Sequence, residues 1–480
     1  MARATGLHDD YQELSAPPEE KKLSSASLKP TPIKERIWRL RDFFNLWVGM
    51  AVCIPTWMLG SSMIAAGLNI WYIIVIMITS QIAMGVLIVL ISVPGARYGI
   101  PFPVQLRPSF GLSGGRIPAL FRGIAAAGWF GIEVWIGGEA LHVIVKYIFP
   151  GWANVSGGVW VWFFVFFILN VALVFFSPPA KEMKVIKTLM AFSAPLLLLI
   201  GIVFVVYFWV SAGTIGDLAL KGGEFSKGEL LKTFVIFWVA MMGYWSTVGV
   251  NASDFTRFST KQRGQVWGQI FGLLAGQTLY VLVGVIVTSA GAVLYGRAIW
   301  DPVELMGNVH SLPLAIVALL FVVIATLATN VAANAVATNM SLIGLWPKRI
   351  EWRTASIITG IIAIAMFPWK LLSDYASYVF TWLIGYQVVL GPIMGILLLD
   401  YWYTNKRGYT LNDLYSFQGK YSKLWAWEGF VSLVCGTIFA LLGLFIKSIA
   451  FVYNNGFLTS MGVSAIVYLL ITNSYRKRTI

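Results

Sequence analysis

Residues 46–55 read Leu46-Trp47-Val48-Gly49-Met50-Ala51-Val52-Cys53-Ile54-Pro55, and residues 241–249 read Met241-Met242-Gly243-Tyr244-Trp245-Ser246-Thr247-Val248-Gly249. Both stretches sit inside apolar runs long enough to cross a bilayer, and both carry helix breakers. Pro55 has no N–H to donate, and glycine lowers the cost of leaving the helix. In lipid, the backbone groups so released must be buried in protein or face a wet cavity. Either stretch alone reads equally well as an ordinary kinked helix. Two breaks at corresponding places, five spans apart, point further, to two inverted halves with a binding site between them at the midplane.

The rest of the chain supports that frame. A spanning helix needs about 20 mostly apolar residues. Such runs fall near 43–66, 70–94, 118–148, 158–178, 185–211, 231–250, 265–295, 311–341, 354–369, 376–402, 427–449 and 456–474, numbered here spans one to twelve. Span nine is short and interrupted by Pro368; spans three, seven and eight are long enough to tilt or to run past the bilayer. The expected fold is therefore an all-α integral membrane protein of about twelve transmembrane helices. Its first repeat would cover 43–211, its second 231–402, and the helices at 427–474 would be additions.

Charge tests the count independently. With the N-terminus inside, the even-numbered loops should be basic. They hold Arg97, Arg107 and Arg116; Lys181 and Lys184; Arg257, Lys261 and Arg263; Lys348, Arg349 and Arg353; and Lys406, Arg407, Lys420 and Lys423, with Arg476, Lys477 and Arg478 closing the chain. One missed span would invert half of this pattern. Both termini are thus expected in the cytoplasm of a multi-pass cell-membrane protein, with residues 1–38, rich in Ser, Pro, Glu and Lys, as a disordered tail and 476–480 as a short one.

Composition excludes other classes. With 58% hydrophobic and 12% charged residues, the chain cannot build the polar surface of a soluble protein. A net charge of +14 belongs in loops beside anionic lipid rather than on nucleic acid. Cys53 and Cys435 lie in apolar runs, and His8, His142 and His310 form no metal spacing. There is no phosphate-loop motif and no soluble stretch large enough to hold a catalytic domain, so neither an enzyme nor a cofactor is expected.

Two groups of residues can carry chemistry. Trp129 and Glu133, four apart on span three, share a helix face, and an acid at membrane depth is expensive unless it has a function. Asn330 and Asn334 share a face of span eight beside Thr329, and read equally well as ligand contacts or interhelical bonds. Glu139 with His142 lies nearer the outer end and reads as structural.

Five segments then resemble the nucleobase–cation symporter family 1. They are Tyr98-Gly99-Ile100-Pro101-Phe102-Pro103, Gly128-Trp129-Phe130-Gly131-Ile132-Glu133, Asn251-Ala252-Ser253-Asp254-Phe255-Thr256-Arg257, Ala328-Thr329-Asn330-Val331-Ala332-Ala333-Asn334, and Gly391-Pro392-Ile393 through Asp400-Tyr401. They stand in family order from about residue 40 to 415. The resemblance implies the five-plus-five inverted repeat of the sodium-coupled amino-acid transporters and the import of a purine, pyrimidine, hydantoin, allantoin or related heterocycle. It implies that Trp129 and Trp245 sandwich the ligand ring, with Tyr244 and Asn330 beside them, and that Asn334 reads its edge. Glu133 stands where hydantoin carriers have Gln, and Cys53 where an amide often lies, so one ligand hydrogen bond is expected to be missing. A cation site would use carbonyls of Gly49, Val52, Ala325 and Ala328 with the Thr329 hydroxyl. Sodium-dependent relatives have Ser at the position of Ala328, so the favoured coupling ion is a proton carried by Glu133, with sodium as the alternative. A same-fold transporter of amino acids or another organic solute is the rival reading, and the paired tryptophans argue against it; a channel or membrane-embedded enzyme ranks lower.

Overall fold

The computed structural model describes residues 11–14, 23, 28–176, 182–346 and 349–478. His8, Lys181, Lys348 and most of the expected tail lie outside the described residues, as do the side chains of Lys184, Arg476, Lys477 and Arg478.

The described chain is built of helices. Span one is Leu40–Ala51 with Ile54–Ala65, two arms bent by 58°. Ile70–Tyr98, Arg116–Ile148, Gly158–Phe176 and Glu182–Ala212 follow as spans two to five. Span six is Lys227–Tyr244 with Ser246–Val250, and spans seven and eight are Gln262–Tyr295 and Leu312–Leu345. Trp352–Ala365, Ser377–Thr404, Trp427–Phe445 and Gly456–Arg478 are spans nine to twelve. Among the described residues nine helices are long and apolar enough to cross a bilayer alone, and the two arms of span one make a tenth. Span six, with Lys227, Glu229 and Lys232 in its first turns, and span nine, of 14 residues, complete the count. Span nine stops where Phe367 adopts φ 51° and Pro368 begins a new turn.

The basic loops lie together. Arg116 donates to the Leu345 carbonyl, and Leu112 and Ser113 bond backbone of Lys423 and Leu424. Trp38 and Thr260 exchange backbone bonds with Phe258 and Trp38 respectively. The described part of the expected tail is packed onto this same face. Arg36 is buried and donates to carbonyls of Gln12, Thr31 and Ala96, and Arg257 donates to the Thr31 hydroxyl. A guanidinium has five donors in a fixed fork, so one Arg can gather three chain segments whose carbonyls converge. Burial pulls the Arg36 pKa down from its ordinary value, and Tyr11 and Glu13 offset part of that.

Span seven is the post on which span one leans. Its face repeats glycine at 264, 268, 272 and 276. A methyl on Gly268 would lie 2.6 Å from the Leu40 carbonyl oxygen, and one on Gly272 2.6 Å from that of Phe44. Small residues at every fourth position let two backbones touch, which is how helices gain contact in lipid. Gly272→Val is expected to force the first arm of span one outward and destabilise the protein by about 1–3 kcal/mol. A thermal midpoint in detergent equal to that of the unsubstituted protein would contradict this packing.

Candidate functional site

Both breaks form, and local chemistry explains each. Span one stops at Ala51, Cys53 is extended (φ −145°, ψ 159°), and Pro55 sits in the first turn of the second arm, where a missing N–H costs nothing. The Cys53 N–H turns to the Ala51 carbonyl at 3.1 Å, and the Thr56 N–H to that of Cys53 at 3.1 Å. In a continuous helix these two donors would serve Gly49 and Val52, so the break releases those two carbonyls. Span six stops at Tyr244, Trp245 turns with φ −87° and ψ 6°, and a short arm resumes at Ser246.

Neighbouring spans supply donors to the carbonyls around both breaks. From span ten, the Tyr378 hydroxyl donates to Pro55 O at 2.9 Å, Tyr386 to Tyr244 O at 2.9 Å, and the Gln387 amide to Ala240 O at 3.0 Å. From span two, Gln81 donates to Met241 O at 3.1 Å. The sequence reading did not single out these four residues. Their signal was present: each is a polar side chain in an otherwise apolar span.

Between the breaks lies a cavity walled by Met50, Cys53, Pro55, Trp129, Glu133, Tyr244, Trp245, Thr247, Val248, Thr329, Ala333 and Asn334. About 40 Å³ is open to the centres of water molecules, enough for two or three. It brings together Trp129, Glu133, Trp245, Asn334, Cys53 and Tyr244, as well as Thr329. Asn330 is not a wall; it stands behind Asn334, donating to the Phe130 carbonyl at 3.1 Å and accepting from Asn334 at 3.1 Å. Gly49, Val52, Ala325 and Ala328 are buried without lining the cavity. Glu139 and His142 lie apart from it, and His142 accepts from the Trp152 indole at 3.2 Å.

Rings dominate the walls. Tyr244 is perpendicular to both tryptophans, 5.5 Å from Trp129 at 80° and 5.0 Å from Trp245 at 89°. Trp382 packs edge-on to Trp129 at 5.5 Å. The Trp245 plane is fixed by its N–H, which donates to Gln277 at 3.0 Å, and by Trp47 at 5.3 Å. Polar groups are few and aimed. The Cys53 thiol, Thr56 hydroxyl and Tyr244 hydroxyl form a triangle with sides of 3.3, 3.3 and 3.6 Å that ties span one to span six. Glu133 is 2% exposed, and its Oε2 has no hydrogen-bond partner among the described residues. An orphaned buried carboxyl oxygen costs a few kcal/mol unless a ligand or proton meets it.

Beneath the cavity Arg122, also unremarked at the sequence level though it stands inside span three, bonds Thr247 O at 2.9 Å, Asn251 Oδ1 at 3.1 Å and Ala333 O at 3.5 Å. It joins spans three, six and eight on the side of the basic loops.

About twelve spans, with two broken helices meeting at a buried, ring-walled cavity, make the architecture of an alternating-access transporter. The comparisons are specific. A family described as permeases for cytosine/purines, uracil, thiamine and allantoin matches residues 30–464, and the chain belongs to that family. It is 34% identical to the purine-uracil permease NCS1 of Arabidopsis thaliana, over 94% of this chain and 78% of the relative. It is 31% identical to the allantoin permease of Bacillus subtilis (strain 168), over 94% and 93%. Among solved structures it matches Mhp1, a nucleobase-cation-symport-1 family transporter, in a closed conformation with bromovinylhydantoin bound (23% identity, 95% of this chain and 97% of that one, TM-score 0.76). The family resemblance and the five-plus-five fold expected from the sequence are thereby borne out.

Gln277 offers a check on the ring geometry. Gln277→Leu leaves the buried Trp245 N–H without an acceptor and should destabilise the protein by about 1–3 kcal/mol. Adding Trp245→Phe, which removes that donor, should recover part of the loss in a double-mutant cycle of thermal midpoints. Strictly additive losses would show that the bond contributes nothing.

Proposed function

We propose that this protein imports a nucleobase or a closely related heterocycle by cation symport, with the proton as the favoured ion. The observation that carries the reading is the cavity itself: aromatic faces of Trp129, Trp245 and Tyr244, with the carboxyl of Glu133 and the amide of Asn334 as its aimed polar groups. A nucleobase is flat, with alternating donors and acceptors on its edge. Ring stacking reads the face, while an amide and a carboxyl read the edge. An amino-acid substrate would instead need a partner for its ammonium and carboxylate, and rings serve neither well. The permeases to which the chain is similar support the heterocycle reading.

Import against a gradient needs a second solute bound at the same time. Glu133 is the carboxyl on the cavity wall and can carry a proton with the ligand. Protonated, it donates to a ring carbonyl; deprotonated after release on the other side, it resets. Sodium would need oxygens, and Gly49 and Val52 with Thr329 offer some, but Ala328 has no hydroxyl to complete the shell. With the basic loops on the inner side, both termini face the cytoplasm.

Uptake into proteoliposomes tests this reading. Uracil, hypoxanthine and allantoin are the first probes, with amino acids as controls. Accumulation should follow an inward proton gradient, persist with choline in place of sodium, and collapse with a protonophore. Glu133→Gln should still bind ligand, since an amide keeps a donor and an acceptor, yet lose pH dependence and accumulation. Accumulation driven by sodium alone would rule out the proton mechanism; uptake of amino acids but no base would sink the substrate class.

The rings make a separate prediction. Trp129→Ala and Trp245→Ala should each weaken all accepted bases together, by about 1–3 kcal/mol or roughly 5- to 150-fold in Kd. Unchanged Kd in a folded variant would remove that ring from the site.

A further inference from the structure

Asn334 presents its amide to the cavity, and an amide can be turned over in place with almost no change of shape. Which end faces the ligand therefore has to be decided by partners. Behind Asn334 runs a chain of buried amides. Asn334 Nδ2 donates to Asn330 Oδ1 at 3.1 Å. Asn330 Nδ2 donates to Asn170 Oδ1 at 3.1 Å and to the Phe130 carbonyl at 3.1 Å. Asn170, on span four, donates to the Phe166 carbonyl at 2.8 Å. Asn170 and Asn330 are both fully buried.

Two backbone carbonyls fix the direction of the whole chain, because a carbonyl can only accept. Phe166 O requires Nδ2 from Asn170, which turns its Oδ1 toward Asn330. Asn330 must then offer Nδ2 to both Asn170 and Phe130 O, which leaves its Oδ1 for Asn334. Asn334 must therefore donate backwards. Its Oδ1, with one remaining N–H, is what the cavity receives. Reversing any one amide would set donor against donor or acceptor against acceptor in a buried place, a fault that costs the full desolvation of the groups involved. A π-helical turn at Asn330–Ala335 accompanies the two span-eight amides.

We propose that Asn330, held in turn by the Phe130 carbonyl and Asn170 and standing off the cavity wall, is a positioning residue that sets the donor–acceptor polarity of Asn334 and so decides which of two isosteric bases the site accepts. This rests on the nucleobase reading above. Uracil and cytosine have nearly one shape but exchange donor and acceptor along one edge; hypoxanthine and adenine do the same. With the ring held by its faces, an Asn334 of fixed polarity matches one member of a pair and opposes the other. An Asn334 free to turn over matches both.

The experiment is competition binding of uracil against cytosine, and hypoxanthine against adenine, on purified full-length protein, with thermal midpoints to confirm folding. The unsubstituted protein should prefer one member of a pair by about 5- to 150-fold. Asn330→Ala and Asn330→Leu, which remove the acceptor behind Asn334, should lose most of that ratio, chiefly because the rejected member now binds. Asn170→Leu, with the Phe130 carbonyl still holding Asn330, should keep most of it. A ratio unchanged in either folded Asn330 variant, an equal weakening of both members, or the same loss in Asn170→Leu overturns the assignment. If the unsubstituted protein binds none of the four bases, the nucleobase reading itself fails, an outcome distinct from an unchanged ratio.

Discussion

Backbone groups with no water to meet them are the constraint on which this structure depends. A spanning helix satisfies its own carbonyls and amides; a broken one does not, and in hydrocarbon each orphan costs several kcal/mol. Spans one and six are both broken, and both breaks line one cavity. Tyr378, Tyr386, Gln387 and Gln81 answer carbonyls around the two breaks from spans ten and two. Gly49 and Val52 are left with carbonyls that no backbone donor in span one serves.

The same close packing frames the cavity. Span one rests on a glycine face of span seven with its backbone in contact, and bonds from Trp47 to Gln269, from Ser61 to Gly284 O and from Thr288 to Ser61 cross the same interface. Arg122 ties span three to the second arm of span six and to span eight through three acceptors, and the cavity lies directly above it.

The walls divide recognition into two parts. Trp129, Tyr244 and Trp245 offer faces that accept any flat ring, and their mutual perpendicularity locks the planes in place. The polar groups of the wall and its rings are held from behind: Gln277 accepts from Trp245, and Asn330, itself bonded to the Phe130 carbonyl and Asn170, accepts from Asn334.

Much of this was legible in the chain. Apolar runs of bilayer length, the alternation of basic loops, and helix breakers at Pro55 and around Gly243 are local or periodic signals, and they determined the fold class and pointed to the candidate site. Trp129 with Glu133 followed from a four-residue helical spacing. Other features needed the fold. Asn330 and Asn334 share one face in sequence, yet only Asn334 reaches the cavity, because span three lies close enough for the Phe130 carbonyl to claim Asn330. Arg122, Gln277, Tyr378 and Tyr386 are polar residues in apolar spans, visible one at a time, but the acceptors of Arg122, Tyr378 and Tyr386 lie 125 to 323 residues away, and the donor to Gln277 lies 32 away. The segment around Arg36 has the composition of a free tail; three carbonyls brought together by the loops give it a place. Sequence by itself determined where the chain crosses the membrane and where it cannot stay helical. Tertiary structure decided which polar group answers which, because a hydrogen bond depends on distance in space and the helices that supply its two ends are far apart along the chain.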